Sequence, residues 1–445
     1  MAILIAVVAV GLSLTDVTHA SPSNWPQWRG PNMMSVVEND PHLPETWSAT
    51  QSVAWKTAIP GVGWSSPIVW GNKVFLTAVV ADTEYEKPAK GLYLGQGRPD
   101  PPPGVHHWMV YCVDLQTGKI LWQRQAHEGP SRVPRHPKNS YSSETPTTDG
   151  ERVYVLFGDI GLFCYDMEGK PVWSHAIEYK ANESGWGPGS SPVLLGNQLI
   201  HVYDNTEESY IAAYDTKTGK QNWRTERDEG STWATPFIWK NDLRTEIVTA
   251  ATQKVRSYDP SGKLLWYFNG RLSRLTIPTP FAAHGMVYIS SGYPGDDHRP
   301  VYAVRPGGSG NITPKFVQKT NDFIAWYQPK EAAYNPSAIV YGDYYYTLLD
   351  GGFITAHSAK TGEEVYGRQR IETGATFTAS PWAYNGKIFC LSEDGNTYVI
   401  EAGPKYNLLG KNVIDEMSLS SPAIAQERLL IRTAFHLYCI KKQRI

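Results

Sequence analysis

The side chains equipped for chemistry in this chain crowd into its connections rather than its apolar runs. One connection, RVPRHPKNSYSSE (132–144), carries Arg132, Arg135, His136, Lys138, Tyr141 and Glu144. An ammonium and a carboxyl six residues apart suit proton transfer, with Lys138 lowering the Glu144 pKa or steering an anionic group. Glu144 also directly precedes Thr145-Pro146, which makes it the most suitable acid for such a step. Other connections add Trp186, Trp233, Trp326, Tyr327, Lys330 and Asn335. Aromatic rings mixed with cations are the composition of binding hot spots. Other reaction classes lack their residues: there is no GxSxG elbow, HExxH pair, zinc spacing of Cys and His, or phosphate loop. His106-His107, in a Pro-rich loop, and GDDH (295–298) come nearest to a metal site. Neither approaches the six to eight oxygens that calcium takes.

The elements that must position these residues show up as a repeat. A small polar residue before proline recurs at Ser66, Thr145, Ser191, Thr235, Thr279, Asn335, Ser380 and Ser421, with proline spacings of 79, 46, 44, 44, 56, 45 and 41. After each proline come an apolar run, a tight turn such as Gly196-Asn197 or Asn385-Gly386, and a second β-rich run. A second phrase follows, as in CVDLQTGKILW (112–122) and AYDTKTGKQNW (213–223), supplying two more strands around a Gly turn. A period near 44 with four strands per unit predicts an all-β, eight-bladed propeller, the two long spacings being insertions. The eighth unit ends after three strands, so VAWKTAI (53–59) is expected to pair beside residues 435–441 and close the ring.

Composition agrees with such a fold and narrows the partners. The chain of 445 residues has 16 Trp, 26 Tyr, 39 Gly and 32 Pro, as a turn-rich β protein would. A net charge of −2 with 19% charged residues gives no basis for nucleic-acid binding. Residues 2–13, AILIAVVAVGLS, have the length of a signal-peptide core and not of a membrane span. Thr18 and Ala20 would allow cleavage before Ser21, so residues 1–20 are expected to be a leader, 21–52 an extended segment and 53–445 the propeller. No cysteine stands at the cleavage site for a lipid anchor. Cys112, Cys164 and Cys439 fall where other repeats have Ala213, Ser257, Ala303 or Ala356, a small buried slot, so free thiols are expected.

The phrase Asp–x–x–Thr–Gly–Lys–x–x–Trp, complete at Asp114–Trp122 and Asp215–Trp223, resembles the tryptophan-docking motif of the pyrroloquinoline-quinone (PQQ) repeat propellers. It is shortened at Asp166–Trp173 and Asp259–Trp266, has Tyr366 for Trp in blade six, and is eroded in blades five and seven. The heading WPQWRGP (25–31) is similar to that of secreted PQQ-like propellers, and more distantly the chain resembles the BamB-like propellers of outer-membrane assembly. Because the phrase recurs around the ring, Trp55, Trp122, Trp173, Trp223, Trp266 and Tyr366 are expected to dock between blades. The resemblance also implies a place for PQQ: quinoprotein dehydrogenases hold it flat in the channel, under an adjacent Cys–Cys disulfide, over a Trp and beside carboxylates that ligate calcium or a lanthanide. This sequence has no Cys–Cys pair, and its best central indoles are Trp64 and Trp233.

In a propeller the D–A and B–C connections share one face, and here they hold the long, varied loops, including residues 80–108. Lys138, Tyr141, Glu144, Trp186, Trp233, Tyr327 and Asn335 are therefore expected to converge on one funnel, as a ligand site or as a plug. The small residues before the prolines either line the channel mouth or satisfy strand-end backbone groups. Two functions remain open. One is an exported, non-catalytic binding propeller presenting its loop-rich face to a protein or glycan, with no cofactor. The other is a dehydrogenase using PQQ with calcium, or another redox group, in the central funnel.

Overall fold

The computed structural model of the chain describes residues 22–83, 89–93, 101, 103–315 and 318–443, so the expected leader lies wholly outside the described residues. The described residues form eight antiparallel sheets, each a meander of four strands, which are the blades of a propeller. Blade 3 is typical: Val193–Leu195, Gln198–Tyr203, Tyr210–Asp215 and Gln221–Glu226 run outward from the channel as strands A to D. Blade 4 gains a fifth, parallel strand, Gly310–Asn311 against Trp266 and Tyr267. The ring closes as expected: Val53–Ala58 pairs antiparallel with His436–Lys441, with Trp55 opposite Cys439. Every blade thus has its full set of ladders, and the last one does not leave His436–Lys441 as an unpaired outer edge.

The recurring phrase has a common geometry. On strand C, Cys112, Cys164, Ala213, Ser257, Ala303, Ala356 and Cys439 each stand opposite the aromatic residue of strand D. That is why the slot is small: a bulky side chain there would collide with the indole. All four cysteines are free and buried. The indole then reaches the C–D turn of the next blade. Trp55, Trp122, Trp173 and Trp223 donate Nε1–H to the carbonyls of Leu115, Met167, Thr216 and Pro260 at 2.9, 3.1, 2.9 and 3.1 Å. Trp266 instead donates to Glu246 at 2.6 Å, and Tyr366 lies edge-on to Tyr406 of blade 7.

Three features differ from the sequence expectation. Blade 5 is not eroded: Trp326 stands opposite Ala303 and donates to Ala359 O at 2.9 Å, as its docking residue. A long excursion between Val301–Val304 and Ile324–Gln328 had separated it from its phrase. The blade 6 marker is Ser337-Ala338 rather than Asn335-Pro336, because the strand starts at Ile339. His106 and His107 are also not in a loop. They lie on strand Val105–Asp114, where neighbours point to opposite faces, so the two rings cannot share one ion.

Residues 22–48 act as a cork. Trp25 exchanges two backbone hydrogen bonds with Val69 of blade 1, and Pro26 O accepts from Thr148 N–H of blade 2 at 3.0 Å. Arg29, 1% exposed, donates to Ala338 O of blade 6 at 2.6 Å. Val37 N–H donates to Ala383 O of blade 7. Trp25, Met33, Leu43 and Trp47 are all buried, so the segment's apolar residues hold it against the blades. Its partners Gly71, Thr148, Asn385 and Gln426 sit at A–B turns, so the cork seals that face. Among the described residues no helix is long and apolar enough to cross a membrane.

Candidate functional site

With one face corked, the channel becomes a cup open on the face of the D–A and B–C connections, with about 1090 Å3 of empty space that merges with solvent at the mouth. Trp28 and Trp64 line it with Trp186, Trp233, Tyr93 and Tyr334, together with Leu92, Ile277 and Leu419. Trp186 and Trp233 pack with ring centroids 5.8 Å apart at 36°, and His136 meets Trp186 edge-on at 5.5 Å. Trp233 is held by Nε1–H to Gly187 O at 2.7 Å. Trp28 donates to Thr279 Oγ1 at 3.1 Å.

Below the rings runs a belt built from the small residues just ahead of each blade's first strand. Each backbone N–H donates to the hydroxyl of the next blade. Ser66 donates to Thr145 at 3.0 Å, Thr145 to Ser191 at 2.9 Å and Ser191 to Thr235 at 3.0 Å. On the other side Thr279 donates to Ser337 at 2.9 Å, Ser337 to Ser380 at 3.0 Å and Ser380 to Ser421 at 2.9 Å. Proline follows five of the six donors: it lacks an N–H, so the residue before it carries the last donor at the strand end, and Ser337, before Ala338, makes the same bond without it. The belt both satisfies strand ends and, through Thr145, Ser191, Thr235, Thr279 and Ser337, lines the cup.

The ionic groups at the mouth are each held by protein partners. Lys138 crosses from the blade 1–2 connection to pair with Glu393 of blade 7, both side chains being nearly fully buried. Glu393 also accepts from Thr378 Oγ1 and Gly91 N–H, each at 2.8 Å. Asp350 accepts from Tyr334 N–H at 2.8 Å and from Asn335 N–H at 3.0 Å and Nδ2–H at 2.6 Å.

Of the seven residues expected in the funnel, Lys138, Trp186, Trp233 and Asn335 line the cup. The other three lie elsewhere. Tyr141 is in the core between blades 1 and 2, donating to Val133 O at 2.7 Å. Tyr327 lies on the outer strand of blade 5, its ring 4.8 Å from that of Tyr302. Glu144 is 2% exposed and accepts from Gly158 N–H at 3.2 Å instead of facing the cup. Nor does Lys138 lower its pKa: burial pushes Glu144 up to about 8, with the nearby Asp159 adding to the rise. Asp159 is itself pushed up to about 7 by burial. The sequence reading also missed Trp28, Tyr93, Tyr334 and the cork. The aromatic density of WPQWRGP, outside the repeat, was the signal for the floor.

The sequence profile of the outer membrane protein assembly factor BamB matches residues 107–365. The chain belongs to that family. Among solved structures it is similar to BamB from Moraxella catarrhalis, at 12% identity over 88% of this chain and 99% of the other, with a TM-score of 0.54. It is similar too to the quinohemoprotein alcohol dehydrogenase from Comamonas testosteroni, at 12% identity, 96% and 82% coverage and a TM-score of 0.58. The computationally designed protein Ika8 gives 12% identity, 86% and 98% coverage and 0.54. These likenesses show the shared fold alone. No curated protein matches the sequence.

The dehydrogenase likeness calls for a test of whether this BamB family member's cup suits a quinone with its metal ion. The lining residues include no carboxylate, and among the described residues no three His, Cys, Asp or Glu side chains gather at one point. Asp296 of GDDH accepts from Arg274 N–H in its loop. Lys138, the one ammonium among the described lining residues, is taken by Glu393. The cysteines sit buried on separate blades. This donor set does not fit the quinone and metal pair.

Proposed function

We propose that this protein is an exported, non-catalytic binding propeller that holds its partner at the loop-rich face, in the central cup. One observation carries the reading: the cup is walled by aromatic rings and hydroxyls, while Lys138, its lining ammonium, is locked to Glu393. Such a wall supplies contact area and orientation, as ligand sites do, and presents no free acid or base for proton transfer. Membership of a family described as an assembly factor supports binding over turnover. The apolar leader core at residues 2–13 supports export. The donor set of the cup gives the redox reading no support.

The test is a thermal-shift screen of the purified protein against saccharides, peptides and small metabolites, followed by mass spectrometry of each hit after long incubation. A binding protein shows a rise in melting temperature that grows with ligand concentration and returns the ligand unchanged. A hit that is chemically converted by the protein, and spared when the protein is omitted, overturns the non-catalytic reading.

A further inference from the structure

We infer that the ligand of the cup is a neutral saccharide, stacked on the indoles through its C–H faces and bonded through its oxygens to the hydroxyl belt. This rests on the binding reading above and names the chemistry of that same site. The belt carries the argument. Thr145, Ser191, Thr235 and Ser337 each use an oxygen lone pair to accept a backbone N–H from the neighbouring blade. Thr279 accepts from the Trp28 indole. A hydroxyl has one proton to donate as well, and among the described residues none of these five is seen giving it to a protein acceptor. The acceptance fixes where each oxygen sits and leaves its proton to swing toward the cup. The result is an arc of donors at set positions, which calls for a ligand bearing acceptor oxygens around its edge.

The rest of the wall narrows the class. Trp28, Trp64, Trp186 and Trp233 present large apolar faces, so the ligand must be apolar between its oxygens. A hydrocarbon chain would satisfy the indoles and leave the belt protons dry, at the cost that attends buried unmade hydrogen bonds. A flat anionic aromatic needs cations, and the nearest, Lys138, is committed to Glu393. An extended peptide brings as many N–H donors as acceptors, and each belt oxygen has only one lone pair left to receive them. A pyranose combines an apolar C–H face with a rim of hydroxyl oxygens and no charge.

The experiment applies the full-length mature protein to an array of neutral and acidic oligosaccharides, then titrates the best spot against tryptophan fluorescence, with PQQ as the contrasting probe. The inference expects binding to neutral pyranose glycans and a saturating fluorescence change. Trp186→Ala should weaken binding by more than tenfold. Thr235→Val should weaken it about 3- to 10-fold and Thr235→Ser restore it, the loss and return of one hydrogen bond. The Ser variant keeps the belt bond, so it separates lost recognition from lost folding. A blank array with PQQ quenching that Trp186→Ala abolishes would refute the saccharide and keep the cup. A blank array with no Trp186-dependent binding of either probe would refute both, as would glycan binding untouched by Trp186→Ala and Thr235→Val.

Discussion

Two glycines of blade 3 separate the energy of indole docking from that of backbone conformation. Gly219, in the C–D turn, has φ +70°, and a Cβ added there would lie 2.6 Å from Cδ2 and Cε3 of the Trp173 indole. Gly196, in the A–B turn of the same blade, has φ +59°, and an added Cβ would meet nothing within 4 Å. Alanine in this left-handed region costs about 1 kcal/mol at either site. At Gly219 the indole must also withdraw. That loses its bond to Thr216 O, 2.9 Å long, and part of its burial between blades. The bond is worth about 1 kcal/mol and the lost apolar contact about another 1–2 kcal/mol. Gly219→Ala should therefore destabilise by about 3–4 kcal/mol against about 1 kcal/mol for Gly196→Ala. In a chain of this size each kcal/mol moves the melting temperature by about 2 °C, so calorimetry should separate the variants by about 5 °C. Equal losses from the two substitutions would refute the claim that these tryptophans hold neighbouring blades together.

Glu144 should make stability depend on pH. Its folded pKa, about 8, lies above the ordinary 4.5, so its contribution is full below about 4.5 and is lost as pH rises through 8. Glu144→Gln minus wild type should then gain about 1.4 kcal/mol per pH unit between pH 5 and 8 in unfolding measurements. A difference that stays flat would mean that the carboxyl is not held protonated in the folded chain. Deleting residues 21–60 removes both the closing strand Val53–Ala58 and the cork with its buried Trp25, Leu43 and Trp47. That chain should show no cooperative melt, and one that melts like the intact protein would refute ring closure.

The ring was legible because its rules are local and repeated. Pro after Ser or Thr, the Gly turn and the aromatic residue of strand D recur at fixed distances, so the register of one blade predicts the others. Where an insertion broke the distance, the reading slipped. Trp326 was assigned to a loop and Asn335 to a strand start because residues 305–323 and 329–337 interrupt the pattern. The site was less legible, since which loop residues face the channel depends on the tilt and packing of blades far apart in sequence. Lys138 finds Glu393 across 255 positions. Glu144 and Tyr141, in the same connection as Lys138, turn into the interblade core, where the spacing along the chain carries no information about direction. The cork was invisible to a repeat-based reading because WPQWRGP occurs once.

The belt explains how a structural repeat becomes a chemical surface. A ring of blades must satisfy the last N–H before each first strand, and a hydroxyl from the next blade does so in six of the joins, Ser66 through Thr235 and Thr279 through Ser421. The same bonds hold the blades in register and set an arc of O–H groups at the wall of a cup. Between these two arcs the pattern is interrupted at Thr279, whose oxygen accepts from Trp28 of the cork. The floor of the cup is thereby tied to the belt, so losing the cork would remove an indole and free a hydroxyl in the same place. Architecture dictates that hydroxyls stand there, whatever is bound. Selectivity must then come from the residues above them, Tyr93, His136, Trp186, Trp233 and Tyr334, which the repeat leaves free to vary.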